Sequence, residues 1–236
     1  MATHSTVLTQ PSALKAMPPA SRYWADWDPS LGAQRIIRKD TRVFWEPQTI
    51  GTVGRCIGSF WGENPGGAES IYTLAFAGYS PIQHGCQPGD PTLRLIFDIW
   101  QLCVSNGIQT PKSDDYIEIL NLYYFRNPQS QGALQAWCKS GGMRLYHQLP
   151  SPISQFALLG WGVQASALPQ AIAAGALLKS AHKVIIPDSA GNVHTCSGSK
   201  LSVPISPGPV QPSFISRRSK SILPSYRKNV ASAIWP

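Results

Sequence analysis

Arg55-Cys56-Ile57-Gly58-Ser59-Phe60-Trp61 runs directly into Gly62-Glu63-Asn64-Pro65-Gly66-Gly67. An apolar run of strand length that ends in glycines reads as a β-strand delivering a loop to one end of a sheet. The glycines let the backbone turn sharply and let a ligand approach closely, and Pro65 stiffens the turn. Glu63 and Asn64 are the polar groups presented. Asn64 can orient a water or hold a base edge, and Glu63 can serve as a general base where a pocket shifts its pKa. The plain alternative is an Asn-Pro-Gly turn with no further role. A P-loop or a dinucleotide fingerprint does not fit, because the spacing differs and the Lys is missing.

Further strands and helices alternate along the chain. Tyr116-Ile117-Glu118-Ile119-Leu120-Asn121-Leu122 and Phe156-Ala157-Leu158-Leu159-Gly160-Trp161-Gly162 have the apolar density of central parallel strands, and the second ends in a glycine turn. Lys183–Ile186 and Val193–Cys196 read as shorter strands. Pro91–Asn106 predicts a helix, with Leu93, Ile96, Phe97, Trp100 and Val104 on one face and Asn106-Gly107 as its stop. Ser130–Lys139 predicts a short helix and Ala167–Lys179 a second long one, with Pro169 tolerated in its first turn. Tyr23-Trp24-Ala25-Asp26-Trp27-Asp28-Pro29 marks the start of ordered structure. The prolines between Val203 and Pro224 argue against long regular structure there. This pattern predicts a three-layer α/β/α sandwich around a central, mainly parallel sheet, with ligands bound beyond the carboxyl ends of the strands. Three loops meet at that end: those after Trp61, Leu122 and Leu159.

The expected organisation is a flexible leader over 1–20, one α/β domain over 21–215 and a basic tail over 216–236. The net charge is +8, and Lys200, Arg217, Arg218, Lys220, Arg227 and Lys228 follow Asp188, after which the chain has no acid. Such a segment favours polyanions, nucleic acid before an anionic membrane, with a merely solvated tail as the alternative. The five cysteines show no close C-x-x-C spacing. That argues against a disulfide framework, a zinc ribbon or an iron–sulfur motif, and predicts reduced thiols in the cytoplasm. The five histidines fall in separate segments with no metal-like spacing, so no metal or cofactor is expected; His194, on a predicted strand, has the best claim to a role. The most apolar stretch, Phe156–Leu178, is broken by Gly160, Gly162, Gln164, Pro169, Gln170 and Gly175. It reads as a buried strand and an Ala-rich helix rather than as a membrane span.

Two other segments present polar groups. Asn121 can donate and accept at a strand end, which suits reading a base or an amide, and Arg126 can contact a phosphate; a satisfied sheet-end residue and a surface charge are the alternatives. Ser206-Pro207-Gly208-Pro209-Val210-Gln211-Pro212-Ser213-Phe214 is a stiff loop able to press on a nucleic-acid backbone, with Val210 or Phe214 wedging or stacking.

The order of these loops resembles the uracil-DNA-glycosylase superfamily. Gly62-Glu63-Asn64-Pro65-Gly66 is similar to its first loop in the mismatch-specific form. Asn121 through Arg126 and Pro128 resembles the Asn-x-x-x-x-Arg-x-Pro strand end of another branch, and Leu159-Gly160 its next strand end. Gln211-Pro212-Ser213 stands where members carry His-Pro-Ser. A closer likeness is to an uncharacterised bacterial domain family, carried by Trp27-Asp28-Pro29, Asn64-Pro65, Asp90-Pro91-Thr92-Leu93-Arg94 and Asn121-Leu122. The likeness spans about residues 23–215. It implies catalytic roles for Asn64 and Glu63. It implies substrate contacts from Gly62, Pro65, Gly66, Asn121, Arg126, Gln211 and Ser213; beyond it, the basic charge of the tail points to nucleic-acid backbone contacts from Arg217, Arg218, Lys220, Arg227 and Lys228. Gln211 can donate a hydrogen bond but cannot become a cation that stabilises a departing base. The expectation is therefore a nucleic-acid-binding protein, DNA before RNA, such as an accessory protein of a plasmid or phage. A base-excising N-glycosylase and an enzyme acting on a nucleotide-like small molecule are the alternatives.

Overall fold

The computed structural model describes residues 21–27, 36–46, 54–63, 82–84, 91–107, 110–123, 135, 155–162, 168–203, 205 and 223–234. Among these, β1 (Ser21–Trp27), β2 (Ile36–Phe44), β3 (Cys56–Gly62), β4 (Ile82–His84), β5 (Tyr116–Asn121), β6 (Ala157–Gly160), β7 (Val184–Pro187) and β8 (Val193–Cys196) form one sheet. Its order is β4-β1-β2-β5-β3-β6-β7-β8. Among the described residues three helices accompany it: α1 (Pro91–Ser105), α2 (Pro169–Leu178) and α3 (Leu223–Ile234), with a short 3-10 turn at Gly198–Lys200.

The α/β class holds, but the expectation of a mainly parallel sheet is corrected to a mixed one. β5, β3, β6 and β7 are mutually parallel at the centre, while β1, β2, β4 and β8 join antiparallel. The reason lies in the connections. A parallel neighbour needs a crossover of a dozen residues or more, whereas an antiparallel strand can be reached by a short turn. The short link from β7 to β8 takes the second route. Alternation along the central strands then feeds both faces. Trp61, Leu120, Leu159, Val184 and Ile186 meet Ala171, Ala174 and Leu178 of α2 in one apolar cluster. Phe60, Ile117, Ile119, Leu158 and Ile185 meet α1 and α3 in another. The stretch that reads as strand plus Ala-rich helix is β6 followed by α2. No helix among the described residues is long and apolar enough to cross a membrane.

α1 forms because Ile96, Phe97, Trp100 and Cys103 recur on one face and all are buried. Trp45, just past β2, packs at a tilt against Phe97 and Trp100 with ring centroids 5.6 and 5.1 Å away. Gly107 ends the helix as expected, at φ +77° with its N–H on Val104 O at 3.0 Å. The expected helix over Ser130–Lys139 lies outside the described residues apart from Gln135, and the leader over 1–20 lies outside them altogether.

At the end of the proline-rich stretch, Leu223–Ile234 forms a helix that the sequence reading did not name. Pro224 falls in the first turn of α3, where its missing N–H costs nothing. Tyr226, Val230, Ala231 and Ile234 then bury at helical spacing against α1 and the sheet. Lys183 Nζ donates to Ala233 O and Ile234 O at 3.1 and 3.2 Å, so a cation closes the helix's electronegative end. The end of the expected basic tail is therefore part of the core.

Tyr226 also carries a cost. It is fully buried, and its hydroxyl has no hydrogen-bond partner. Burial pushes the phenol above its ordinary pKa. A buried polar group without a partner opposes folding by about 1–3 kcal/mol. Tyr226→Phe removes that group and keeps the ring. It is expected to leave the urea midpoint unchanged or raise it, and a fall would show that the hydroxyl is satisfied in solution.

Candidate functional site

β5, β3 and β6 end level with one another. Gly62 pairs with Asn121 on one side and with Gly160 on the other, all at the carboxyl ends of parallel strands. Pairing of β3 with β5 continues one step further, through Leu122 N to Gly62 O at 3.0 Å and Tyr123 N to Glu63 O at 3.2 Å. Gly162 then turns the chain away from β6 at φ +94°, a conformation that glycine adopts without strain. At this rim Trp61, Tyr123 and Trp161 are fully buried.

Gly62 is needed because a side chain there would crowd its neighbours. A Cβ there would stand 2.9 Å from Asn121 Oδ1 and 3.2 Å from Phe60 Cε1. The Asn121 amide, 3% exposed, therefore lies directly over the Gly62 backbone. Two residues the sequence singles out, 59 positions apart, are thus packed against each other. Gly62→Ala is expected to cost only about 1 kcal/mol of stability, since the far end of a flexible side chain is what must yield. It displaces the Asn121 amide, so ligand binding is expected to fall far more than stability; titration beside a melting curve separates the two.

Glu63 is committed locally. Tyr123 OH donates to its Oε1 at 2.6 Å, a short charge-assisted bond. That bond holds the start of the loop to the end of β5, and it engages an oxygen that a general base needs. Asn64, Pro65, Gly66, Arg126, Gln211, Ser213, Arg217, Arg218 and Lys220 lie outside the described residues. Arg227 and Lys228 sit on α3. Arg227 bonds Asp98 of α1 through Nη2, while Lys228 is exposed.

His194 lies on the edge strand β8, with its side chain 54% exposed and its Nε2 3.6 Å from Asp188 Oδ2. Asp188 organises the β7–β8 turn by accepting from the N–H groups of Ala190 and Asn192, both at 2.9 Å, and from Asn192 Nδ2 at 3.0 Å. Burial pushes this carboxyl up, but the bonds from Asn192, Ala190 and His194 outweigh it and hold the group below its usual range. The arrangement explains a turn and stands three strands from β3.

One buried charged group escaped the motif reading. Glu118, in the middle of β5, is 7% exposed and pairs in register with Arg42 of β2 and Ser59 of β3. The Arg42 guanidinium lies 4.7 Å from the Tyr116 ring centroid. Nearby, burial and then the Glu118 charge push the Cys56 thiol up to about 12, which leaves it protonated and inert at neutral pH. The available signal was a lone acid in the apolar run Tyr116–Leu120. Opposite charges on adjacent strands support pairing, and this cluster sits within the sheet rather than at its end. Cys56, Cys103 and Cys196 are free thiols, and no group of three or more His, Cys, Asp or Glu among the described residues could hold a metal.

Comparison with family models, with curated proteins and with solved structures found no match to this chain.

Proposed function

We propose that this chain is a nucleic-acid-binding protein of uracil-DNA-glycosylase-like fold, an accessory protein that prefers DNA to RNA and acts without demonstrated catalysis. The observation that carries the reading is the packing of the Asn121 amide over Gly62 at the level ends of β5, β3 and β6. In an open α/β sheet that rim is where ligands bind. An amide carries both a donor and an acceptor, the two kinds of group that a base edge matches. The charge of +8, with no acid after Asp188, supplies the attraction to a polyanion. Against excision chemistry stand the Glu63 carboxylate, held by Tyr123 OH, and the Gln in place of His at position 211.

The test combines salt-dependent binding with cleavage of labelled DNA carrying uracil, hypoxanthine or mismatches. Binding is expected to weaken steeply as salt rises, without abasic sites, and to fall by about tenfold in Asn121→Ala. Abasic sites that disappear in Asn64→Ala would establish the glycosylase reading instead. Absence of binding to DNA and RNA at low salt would overturn both.

A further inference from the structure

The start of α2 leaves a buried side-chain oxygen without a partner among the described residues. In the β6–α2–β7 unit the two strands are parallel neighbours, so the helix between them runs back over the sheet. Its N-terminus therefore lies at the carboxyl end of β6, on the rim that Gly62 and Asn121 share. Leu168 at the N-cap is apolar and no side chain caps the helix. Pro169 contributes no N–H, and the first intrahelical bond runs from Ile172 N–H to Leu168 O at 3.1 Å. The N–H groups of Gln170 and Ala171 consequently have no acceptor within the helix. Independently, the Gln170 side chain is 2% exposed and its Oε1 is buried with no hydrogen-bond partner. Side chains of a helix lean toward its N-terminus, so this amide is aimed into the uncapped first turn.

A buried acceptor beside the leftover donors of a helix start is costly unless something completes it. An anion would satisfy the N–H groups but meet the lone pairs of Oε1. The set is complementary to an edge that carries an acceptor beside a donor, which every nucleobase has. We propose that the first turn of α2 is a nucleobase subsite. Gln170 N–H and Ala171 N–H donate to a ring nitrogen or carbonyl oxygen of the base, and Gln170 Oε1 accepts from its neighbouring N–H. Access is short, because Pro169 is exposed and Leu168 only half-buried. The subsite deepens the nucleic-acid reading and rests on it for the identity of the ligand.

The experiment titrates the full chain with adenosine, guanosine, cytidine and uridine and follows the backbone amide resonances of Gln170 and Ala171. At least one nucleoside is expected to shift both saturably. Gln170→Met conserves volume and removes the orphan oxygen; it is expected to weaken that binding by about tenfold with no loss of melting temperature. The proposal is overturned by unshifted amides, by a Gln170→Met variant that binds as well as the wild type, or by inorganic phosphate displacing the nucleoside at constant ionic strength. Wild-type protein that binds DNA but no nucleoside defeats the subsite and leaves the broader reading standing. Protein that binds a nucleoside but neither DNA nor RNA does the reverse.

Discussion

Gly198→Ala is expected to lower unfolding stability by about 3 kcal/mol, the upper range for forcing atoms into a packed site. The residue opens the 3-10 turn after β8, and its N–H donates to Ala181 O at 2.9 Å. A Cβ there would come within 2.1 Å of Leu178 O and 2.7 Å of Ala181 O. Both are backbone atoms at the end of α2, so no side-chain rotation relieves the clash. Either the turn or the helix end must move, drawing buried Leu201 or Leu178 out of the same cluster. Urea unfolding should show a lower midpoint at an unchanged slope. Gly107→Ala is the control. Nothing lies within 4 Å of the added methyl there, although φ is +77°, so its cost is the conformational one alone, about 1 kcal/mol.

Arg55→Met is expected to cost about 2–3 kcal/mol at neutral pH. At the amino ends of β3 and β5, opposite the candidate site, Arg55 Nε and Nη2 grip both oxygens of Asp115 at 2.9 and 2.8 Å. Lys112 N–H adds a third bond at 2.9 Å. The carboxylate is 1% exposed and the Arg side chain 48%. Removing the Arg therefore strands a buried charge, a loss of about 3–5 kcal/mol for a fully enclosed pair, reduced here because water screens the Arg. Burial alone pushes Asp115 up, but its bonds to Arg55 and Lys112, with their charges, bring it below the usual carboxylate range. A depressed carboxyl contributes stability above its unfolded pKa of about 3.9 and loses it as pH falls through the folded value. In the variant, burial acts unopposed by the Arg, and the acid can protonate in place. The gap between wild type and variant should therefore be wide at pH 7 and close below about pH 4. A gap that stays constant on acidification would mean that the pair does not carry the effect.

The contrast between β5 and β2 shows why some elements were legible in the sequence. Tyr116–Asn121 is buried on both faces and reads as a strand from its apolar density. Ile36–Phe44 carries Arg38, Lys39, Asp40 and Arg42 through its middle, which blurs any alternation. It becomes a strand by pairing with β1 and β5, and those partners are distant in sequence. α3 was obscured differently. Pro224 reads as a breaker until its place in the first turn is known, whereas Tyr226, Val230, Ala231 and Ile234 already have helical spacing. The same limits apply at the site. Gly62, Asn121 and Gly160 could each be read as strand ends, but the orphaned oxygen of Gln170 left no mark in the sequence, because satisfaction of a polar group depends on its neighbours.

By itself, then, the sequence determined the local conformations whose cause is local: the apolar central strands, the one-sided face of α1, its glycine stop, and the glycine turn that follows β6. Only the tertiary structure decided which strands neighbour one another, that the sheet is mixed, and that Asn121 lies over Gly62. Hydrophobic periodicity and turn chemistry act between residues a few positions apart, whereas register and packing are settled by contacts across the whole chain.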